Sequence, residues 1–198
     1  MTNNTNNGRR DFMSKILVVG AGVMGIASTG YSGNGYCGGS GGGSGSGTTA
    51  TLTSEQKDWL LFMYQEKKVA RDVYITLGKV YPSENTFANI QNSEQNHMNA
   101  CKNLCVKYGV NITGINENIV GQFVLPNLQE LYNTCITEGK KSLLDAVKIG
   151  ELIEITDIND LKKASVGMPS DVVNVFDNLL QASYNHLAAF QSRIKALS

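Results

Sequence analysis

Apolar residues recur at intervals of three and four positions in most of the sequence after Thr51, and this periodicity is the strongest indication of the fold. Such spacing places apolar side chains on one face of an α-helix. Four long segments carry the pattern, with a short one between the second and the third, and we find no convincing strand pattern. The sequence therefore predicts an all-α domain over residues 51–198.

Cap and turn residues indicate where the helices begin and end. Thr53 and Gln56 have the spacing of a capping box, and Gly78 and Pro82 mark the end of the first helix. Gly109 ends the second helix. The predicted helices are Thr53 to Gly78, Thr86 to Tyr108, Asn127 to Glu138, Ser142 to Ala164, and a last helix that begins at Pro169.

The segment between the second and third long helices is long enough to travel back along them. A helix of about 23 residues spans roughly 35 Å, and residues 109–141 can cover that distance. The second and third long helices can then run parallel. The predicted fold is a ferritin-like four-helix bundle with a long crossover that carries the short extra helix.

Residues 1–50 differ in composition from the rest of the chain. The string RRDFMSK at residues 9–15 precedes an apolar run over residues 16–27 and then small residues, which is typical of an export signal. It resembles a twin-arginine signal; a plain export signal and a cytosolic tail are the alternatives. We interpret residues 1–29 as the signal and 30–50 as a Gly/Ser linker. The protein is then expected in the periplasm or at the cell exterior. If the signal is not cleaved, it would tether the protein to the membrane.

Two binding functions are disfavoured by the sequence. Gly20 to Gly25 has the GxGxxG spacing of a dinucleotide-binding turn. That turn must open a helix that leads to a second strand with an acidic residue, whereas this chain continues into the Gly/Ser segment. Nucleotide binding is therefore only a third hypothesis. No nucleic-acid partner is expected, because 17 Lys+Arg balance 17 Asp+Glu and give no basic surface.

The four cysteines include no CxxC pair, which excludes a rubredoxin-type or zinc-ribbon site. Cys101 and Cys105 lie one helical turn apart on the same face. We interpret them as core residues, with redox or metal-binding thiols as the alternative. Cys37 lies in the linker and is expected to be an unpaired thiol.

Ionisable residues interrupt the apolar stripe of every long helix. Burying such groups is costly unless hydrogen bonds or a metal ion compensate. Glu94 and His97 form a Glu-x-x-His motif, whose spacing brings both side chains to one metal site. Ser183 stands where the last helix would carry a second such glutamate, so another helix must supply a carboxylate. The residues in or beside these stripes are Glu66, Glu94, His97, Glu151, Glu154, Asp157 and His186.

The polar residues of each hairpin are expected at one height. We centre the first hairpin near residues 81–82 and the second near residues 168–169. Alignment in both hairpins favours a shared metal site over unrelated polar positions. The expected opposite pairs are Glu66 with His97, His186 with Glu151, and Ser183 with Glu154.

The stripe residues other than Glu154 also have interpretations without metal. The alternatives are a surface charge for Glu66 or Glu151, a hydrogen-bonded pair for Glu94 and His97, a core histidine for His186, and a local cap for Asp157.

Adjacent Arg71 and Asp72 point away from the stripe. They are predicted to form a salt bridge rather than a catalytic pair.

Five segments carry a recognisable pattern: residues 66–74 (EKKVARDVY), 87–90 (FANI), 93–98 (SEQNHM), 150–161, and 183–187 (SYNHL). Together they resemble the domain-of-unknown-function 2202 family, a ferritin-like group in bacteria and archaea. The resemblance covers nearly everything after Thr51. It implies a ferritin-like four-helix fold with a di-metal site, and it brings no established reaction.

Carried over by position, the resemblance implies a set of metal ligands. Lys67 occupies a place where such proteins often have an acid, so the first-helix ligand stays open. Glu151 fits the expected geometry but belongs less clearly to the motif. The implied ligands are Glu66, Glu94, His97, Glu154, Asp157 and His186.

Carboxylate and imidazole ligands suit iron or manganese. We expect two ions, iron with manganese as the alternative, that react with oxygen or peroxide in ferroxidase or peroxidase chemistry. Electrons must come from an unidentified donor, because the sequence has no rubredoxin-like module. A homodimer is compatible with the sequence. The alternative function is an exported metal-binding or structural bundle without turnover.

Overall fold

The structure is a computed structural model that describes residues 51–198. None of these residues lies in a β-strand, so the all-α prediction is confirmed. The predicted export signal, the Gly/Ser linker and Cys37 lie outside the described residues. Within 51–198, no helix is both long and apolar enough to cross a membrane. The helices are α1 (Ser54–Val80), α2 (Asn85–Lys107), α3 (Pro126–Gly139), α4 (Leu143–Ala164) and α5 (Ser170–Leu197).

The helix ends follow the signals in the sequence. At the start of α1, Thr53 Oγ1 accepts a hydrogen bond from the Gln56 N–H, and the Gln56 side chain accepts one from the Thr53 N–H, which completes the predicted capping box. Gly109 follows α2 with a φ of 62°, a left-handed conformation that favours glycine. Ser142 Oγ accepts from the Asp145 N–H at the start of α4.

The four long helices pack side by side. α1 and α5 each contact α2 and α4, and α3 packs against α1 and α4. Lys107 at the end of α2 pairs with Asp171 at the start of α5 at 2.8 Å, and Arg193 pairs with Glu84, just before α2, at 2.5 Å. Thus α2 and α5 are antiparallel. Since α4 and α5 form a hairpin, α2 and α4 run in the same direction.

Buried charges hold the connection between α2 and α4 against α1. Asp72 Oδ2 accepts from the Lys68 ammonium at 2.6 Å and from the Gly121 N–H at 2.9 Å, and its Oδ1 accepts from the Arg71 guanidinium. Lys68 and Arg71 also donate to backbone carbonyls of this connection, at 2.8 and 2.7 Å. The predicted Arg71–Asp72 salt bridge is confirmed, and it belongs to the network that fixes the crossover.

Replacing Asp72 by alanine is expected to lower the free energy of unfolding by about 3 kcal/mol, because the buried Lys68 ammonium loses its counter-charge. Urea denaturation followed by circular dichroism measures the change. Asp177→Ala is the matched control, since Asp177 is exposed on α5. Equal stability of the two variants would contradict the role assigned to Asp72.

Three aromatic rings pack together in the interior. The Phe190 ring centroid lies 5.3 Å from that of Tyr74 and 5.9 Å from that of Phe87. Gly150 of α4 lets the Phe190 ring lie against the helix backbone, because a Cβ at this position would come within 2.3 Å of Phe190 Cε1. Through this close contact α4 and α5 pack tightly against each other near the polar residues described below.

The cysteines of the described region lie in the core. Cys101, Cys105 and Cys135 are buried, and all three are free thiols. Burial raises the pKa of Cys105 and that of Cys135 to about 12. The interpretation of Cys101 and Cys105 as core residues is therefore confirmed.

Candidate metal centre

Side chains from α2 and α5 converge in the interior. Glu94 and His97 project from adjacent turns of α2, and His186 projects from α5. Glu94 Oε1 lies 3.0 Å from His97 Nδ1 and 3.0 Å from His186 Nδ1. The two imidazole rings stack with their centroids 5.4 Å apart. One ligand atom from each of these three residues, called here the Glu/His/His triad, lies within 4.8 Å of the others.

Glu154 from α4 and Tyr74 from α1 extend the triad to the other two long helices. Glu154 Oε1 lies 3.5 Å from His186 Nδ1 and accepts a hydrogen bond from the Tyr74 hydroxyl at 2.7 Å. Burial and the negative charges of Glu154 and Glu94 raise the pKa of Tyr74 well above its usual value. The hydroxyl therefore keeps its proton and acts as a donor to Glu154.

A second buried group lies one turn farther along α4 from Glu154. The Lys67 ammonium from α1 pairs with Asp157 Oδ1, and the Ser183 hydroxyl donates to Asp157 Oδ2. All three side chains are buried. Both oxygens of Asp157 are thus satisfied by groups of the protein itself.

Glu66 lies outside the triad and close to the second group. Its carboxyl interacts with Asp160 of α4, which also pairs with Lys163 at 3.0 Å. Burial and the charges of Asp160 and Asp157 raise the pKa of Glu66 well above its usual value, which favours its protonated form. Of the six predicted ligands, the structure brings together Glu94, His97 and His186 and places Glu154 beside them. It puts Asp157 in the second group and leaves Glu66 outside the triad, beside Asp160.

The predicted pairing across the second hairpin is wrong by about one helical turn. His186 faces Glu154 rather than Glu151, and Ser183 faces Asp157 rather than Glu154. Glu151 lies half-buried, and its carboxylate accepts from Gln191 Nε2 at 3.2 Å.

The direction of helical side chains explains this shift. Side chains lean toward the N-terminus of their own helix. In an antiparallel pair they lean in opposite directions, so contacting partners have higher residue numbers than the Cα heights suggest. The first hairpin shows the same offset, because Arg71 Nη1 donates to Gln95 Oε1 at 2.5 Å, whereas the predicted register placed Arg71 opposite Asn92. The pairing of Glu66 with His97 assumed that same register.

Opposing electrostatic effects act on the carboxylates around the triad. Burial alone would raise the pKa of Glu94, but the Lys67 charge and the two histidines hold it well below its usual value. Burial and the nearby negative charges of Glu94 and Asp157 raise the pKa of Glu154 to about 7, against the effect of His186. Burial disfavours a charged His186, yet Glu154 and Glu94 raise its pKa to about 9. The interior around Glu94, Glu154 and His186 therefore favours the presence of positive charge.

Two buried polar atoms of the triad have no hydrogen-bond partner among the described residues, namely Glu94 Oε2 and His186 Nδ1. The second is 3.0 Å from Glu94 Oε1 but is not aligned to form a hydrogen bond. Two ligand atoms that bind one ion at about 2.1 Å and at right angles lie about 3 Å apart. One carboxylate with two imidazoles is also the donor set of many non-haem iron sites. The residues present thus fit a metal ion.

Sequence periodicity missed Lys67 and Tyr74 as members of these groups. Every residue from Phe62 to Tyr74 is buried, since α2, α3, α4 and the crossover surround α1. Periodicity cannot identify the functional face of a helix that is buried all round. The available indication was their separation of seven positions, which places Lys67 and Tyr74 on one face.

Comparisons with known proteins agree with the family resemblance. The family described as "Uncharacterized protein domain (DUF2202)" matches residues 56–197. The uncharacterized protein MJ0754 of Methanocaldococcus jannaschii is 41% identical over 140 residues, which cover 70% of this chain and 75% of that protein. The crystal structure of hypothetical protein MJ0754 from Methanococcus jannaschii matches with a TM-score of 0.72 and 37% identity, covering 77% of this chain and 87% of that chain. The chain therefore belongs to the DUF2202 family.

Proposed function

We propose that this protein is a ferritin-like iron protein in which Glu94, His97 and His186 hold the metal and which reacts with oxygen or peroxide. The observation that carries this proposal is the approach of Glu94 Oε1 to within 3.0 Å of one imidazole nitrogen on its own helix and one on α5. The unpartnered Glu94 Oε2 supports it, because a buried carboxylate oxygen without a donor is costly unless a cation binds there.

The helix arrangement supports the ferritin-like part of the proposal. The diagonal helices α2 and α4 run in the same direction, and a long connection carrying α3 joins them. Ferritin-like bundles have one such crossover and place their metal ligands on inward faces of the helices. Here polar side chains from all four long helices lie close together in the interior, which supports this arrangement.

The donor set supports iron as the metal, with manganese as the alternative. Imidazoles favour iron over calcium or magnesium, and the carboxylate also suits manganese. Bound iron would supply the capacity to exchange electrons with oxygen or peroxide. The described cysteines are buried in the core and leave electron supply to an external donor.

The neighbouring residues provide a place for a proton. Glu154, with a pKa raised to about 7, can hold a proton on its carboxylate beside His186. Tyr74 fixes the orientation of that carboxylate through its 2.7 Å hydrogen bond. The aromatic rings of Phe87 and Phe190 pack on Tyr74 and keep water away from this side of the cluster.

One observation favours a second candidate, an exported bundle in which the metal is structural. His97 and His186 are only 7% and 8% exposed, so the triad is largely closed to solvent. A closed site suits an ion that stabilises the fold without turnover. In both candidates the predicted twin-arginine signal supports a location outside the cytoplasm, since that route exports folded proteins with their cofactors.

Loading the chelator-treated chain with ferrous iron under anaerobic conditions tests the proposal. Iron is expected to remain with the chain through gel filtration and to raise its melting temperature. Oxygen or peroxide should then be consumed faster than by the same amount of free iron. Retained iron without such consumption would select the structural candidate. A folded chain that retains neither iron nor manganese would contradict both.

A further inference from the structure

Lys67 places a positive charge deep inside the helix bundle. Its side chain is 1% exposed, and its ammonium pairs with Asp157 of α4. The ammonium also interacts electrostatically with Glu94 of α2. Carboxylates from two different helices therefore face a cation that the protein itself provides.

Asp157 has no oxygen left without a partner. One oxygen binds the Lys67 ammonium and the other accepts from the Ser183 hydroxyl. Ser183 lies three positions before His186, where a second Glu-x-x-His motif would have its glutamate. Ser183 thus presents a hydroxyl where the motif would place a carboxylate ligand. Beside it, the Lys67 ammonium pairs with the carboxylate of Asp157.

The position of Lys67 leaves no place for a second ion beside Asp157. The ammonium pairs directly with Asp157 Oδ1, and both side chains are buried. A divalent cation bound to the same carboxylate would lie close to that ammonium, and two cations so close together in a buried site repel each other strongly.

We propose that Lys67 takes the place of a second metal ion, so that the chain binds a single ion at Glu94, His97 and His186. The inference rests on the proposed metal centre. It predicts one bound ion, whereas the family resemblance implies two. Lys67 acts here as a fixed counter-charge for Asp157. It leaves the Glu/His/His triad as a complete mononuclear site.

Manganese(II) serves as the probe, because both its stoichiometry and its electron paramagnetic resonance spectrum report on ion number. The chain, loaded to saturation and dialysed, is expected to contain one manganese per chain and to show the spectrum of isolated ions. Lys67→Glu removes the ammonium and adds a carboxylate, so this variant is expected to bind two ions with an exchange-coupled spectrum. Lys79→Glu, at an exposed position of α1, is the matched control and should still bind one.

The outcomes separate the two proposals. A wild-type chain that binds two coupled ions would overturn the role of Lys67 and leave the metal centre standing. A wild-type chain that binds none would overturn both. A folded Lys67→Glu variant that still binds one ion would also overturn the role of Lys67. If that variant does not fold, the wild-type stoichiometry and spectrum decide the question.

Discussion

Replacing Glu94 by glutamine is expected to weaken iron or manganese binding by at least about 100-fold. Loss of groups that merely orient ligands already costs 10-fold to 100-fold in metal affinity, and Glu94 contributes the oxygen that lies nearest both imidazoles. Glutamine keeps the shape of the side chain but removes its charge. Calorimetric titration of the chelator-treated chain with manganese(II) measures the effect.

Glu151→Gln is the matched control for this prediction, because it makes the same chemical change on α4 outside the triad. Glu151 is half-buried and contacts Gln191, so its variant should bind manganese like the wild type. Circular dichroism spectra should show that both variants keep their helices. Equal affinities of Glu94→Gln and wild type would remove Glu94 from the centre, whereas a loss in Glu151→Gln would restore the register predicted from the sequence.

Replacing Gly150 by alanine is expected to lower the free energy of unfolding by about 2 kcal/mol. Alanine would ordinarily stabilise a helix by about 1 kcal/mol relative to glycine. Here, however, the new Cβ would lie 2.3 to 2.6 Å from three atoms of the Phe190 ring. That ring is fully buried against Tyr74 and Phe87, so it cannot turn aside without disturbing them. Thermal and urea denaturation measure the loss.

Two further variants separate this overpacking from a general effect of the substitution. In a Phe190→Leu background, Gly150→Ala should cost less than about 1 kcal/mol, because the smaller side chain removes the clash. Gly78→Ala makes the same change in α1, where the added Cβ would lie 3.3 Å from Phe87 Cβ. It should alter stability by less than about 1 kcal/mol. A stable Gly150→Ala protein would show that the hairpin can open locally to admit the methyl group.

These two predictions concern adjacent parts of one interior. Phe190 contacts Tyr74, and Tyr74 positions Glu154 beside the triad. A shift of the Phe190 ring in Gly150→Ala is therefore expected to displace Tyr74 and Glu154 and so to disturb the neighbouring triad. Metal affinity measured in this variant should fall less than in Glu94→Gln, because no ligand is removed.

Local signals in the sequence were enough to predict the helices and the residues of the Glu/His/His triad. The capping box of Thr53 and Gln56 and the glycine at 109 act within a few residues, so they could be recognised without tertiary structure. The same holds for Glu94 and His97, whose meeting follows from helical periodicity alone. His186 was identified because an ionisable side chain in an apolar stripe needs a partner.

The groups that face one another across helices depend on how the helices pack together, which the sequence pattern did not predict. Side chains of antiparallel helices lean in opposite directions, and for this reason His186 lies opposite Glu154 rather than the predicted Glu151. The packing of α1 against α2 and α4 placed Lys67 in the interior, where its ammonium pairs with Asp157 and interacts with Glu94. Sequence periodicity specifies angles around a single helix axis. It does not specify the relative height or the rotation of two helices, and those depend on how all the side chains pack.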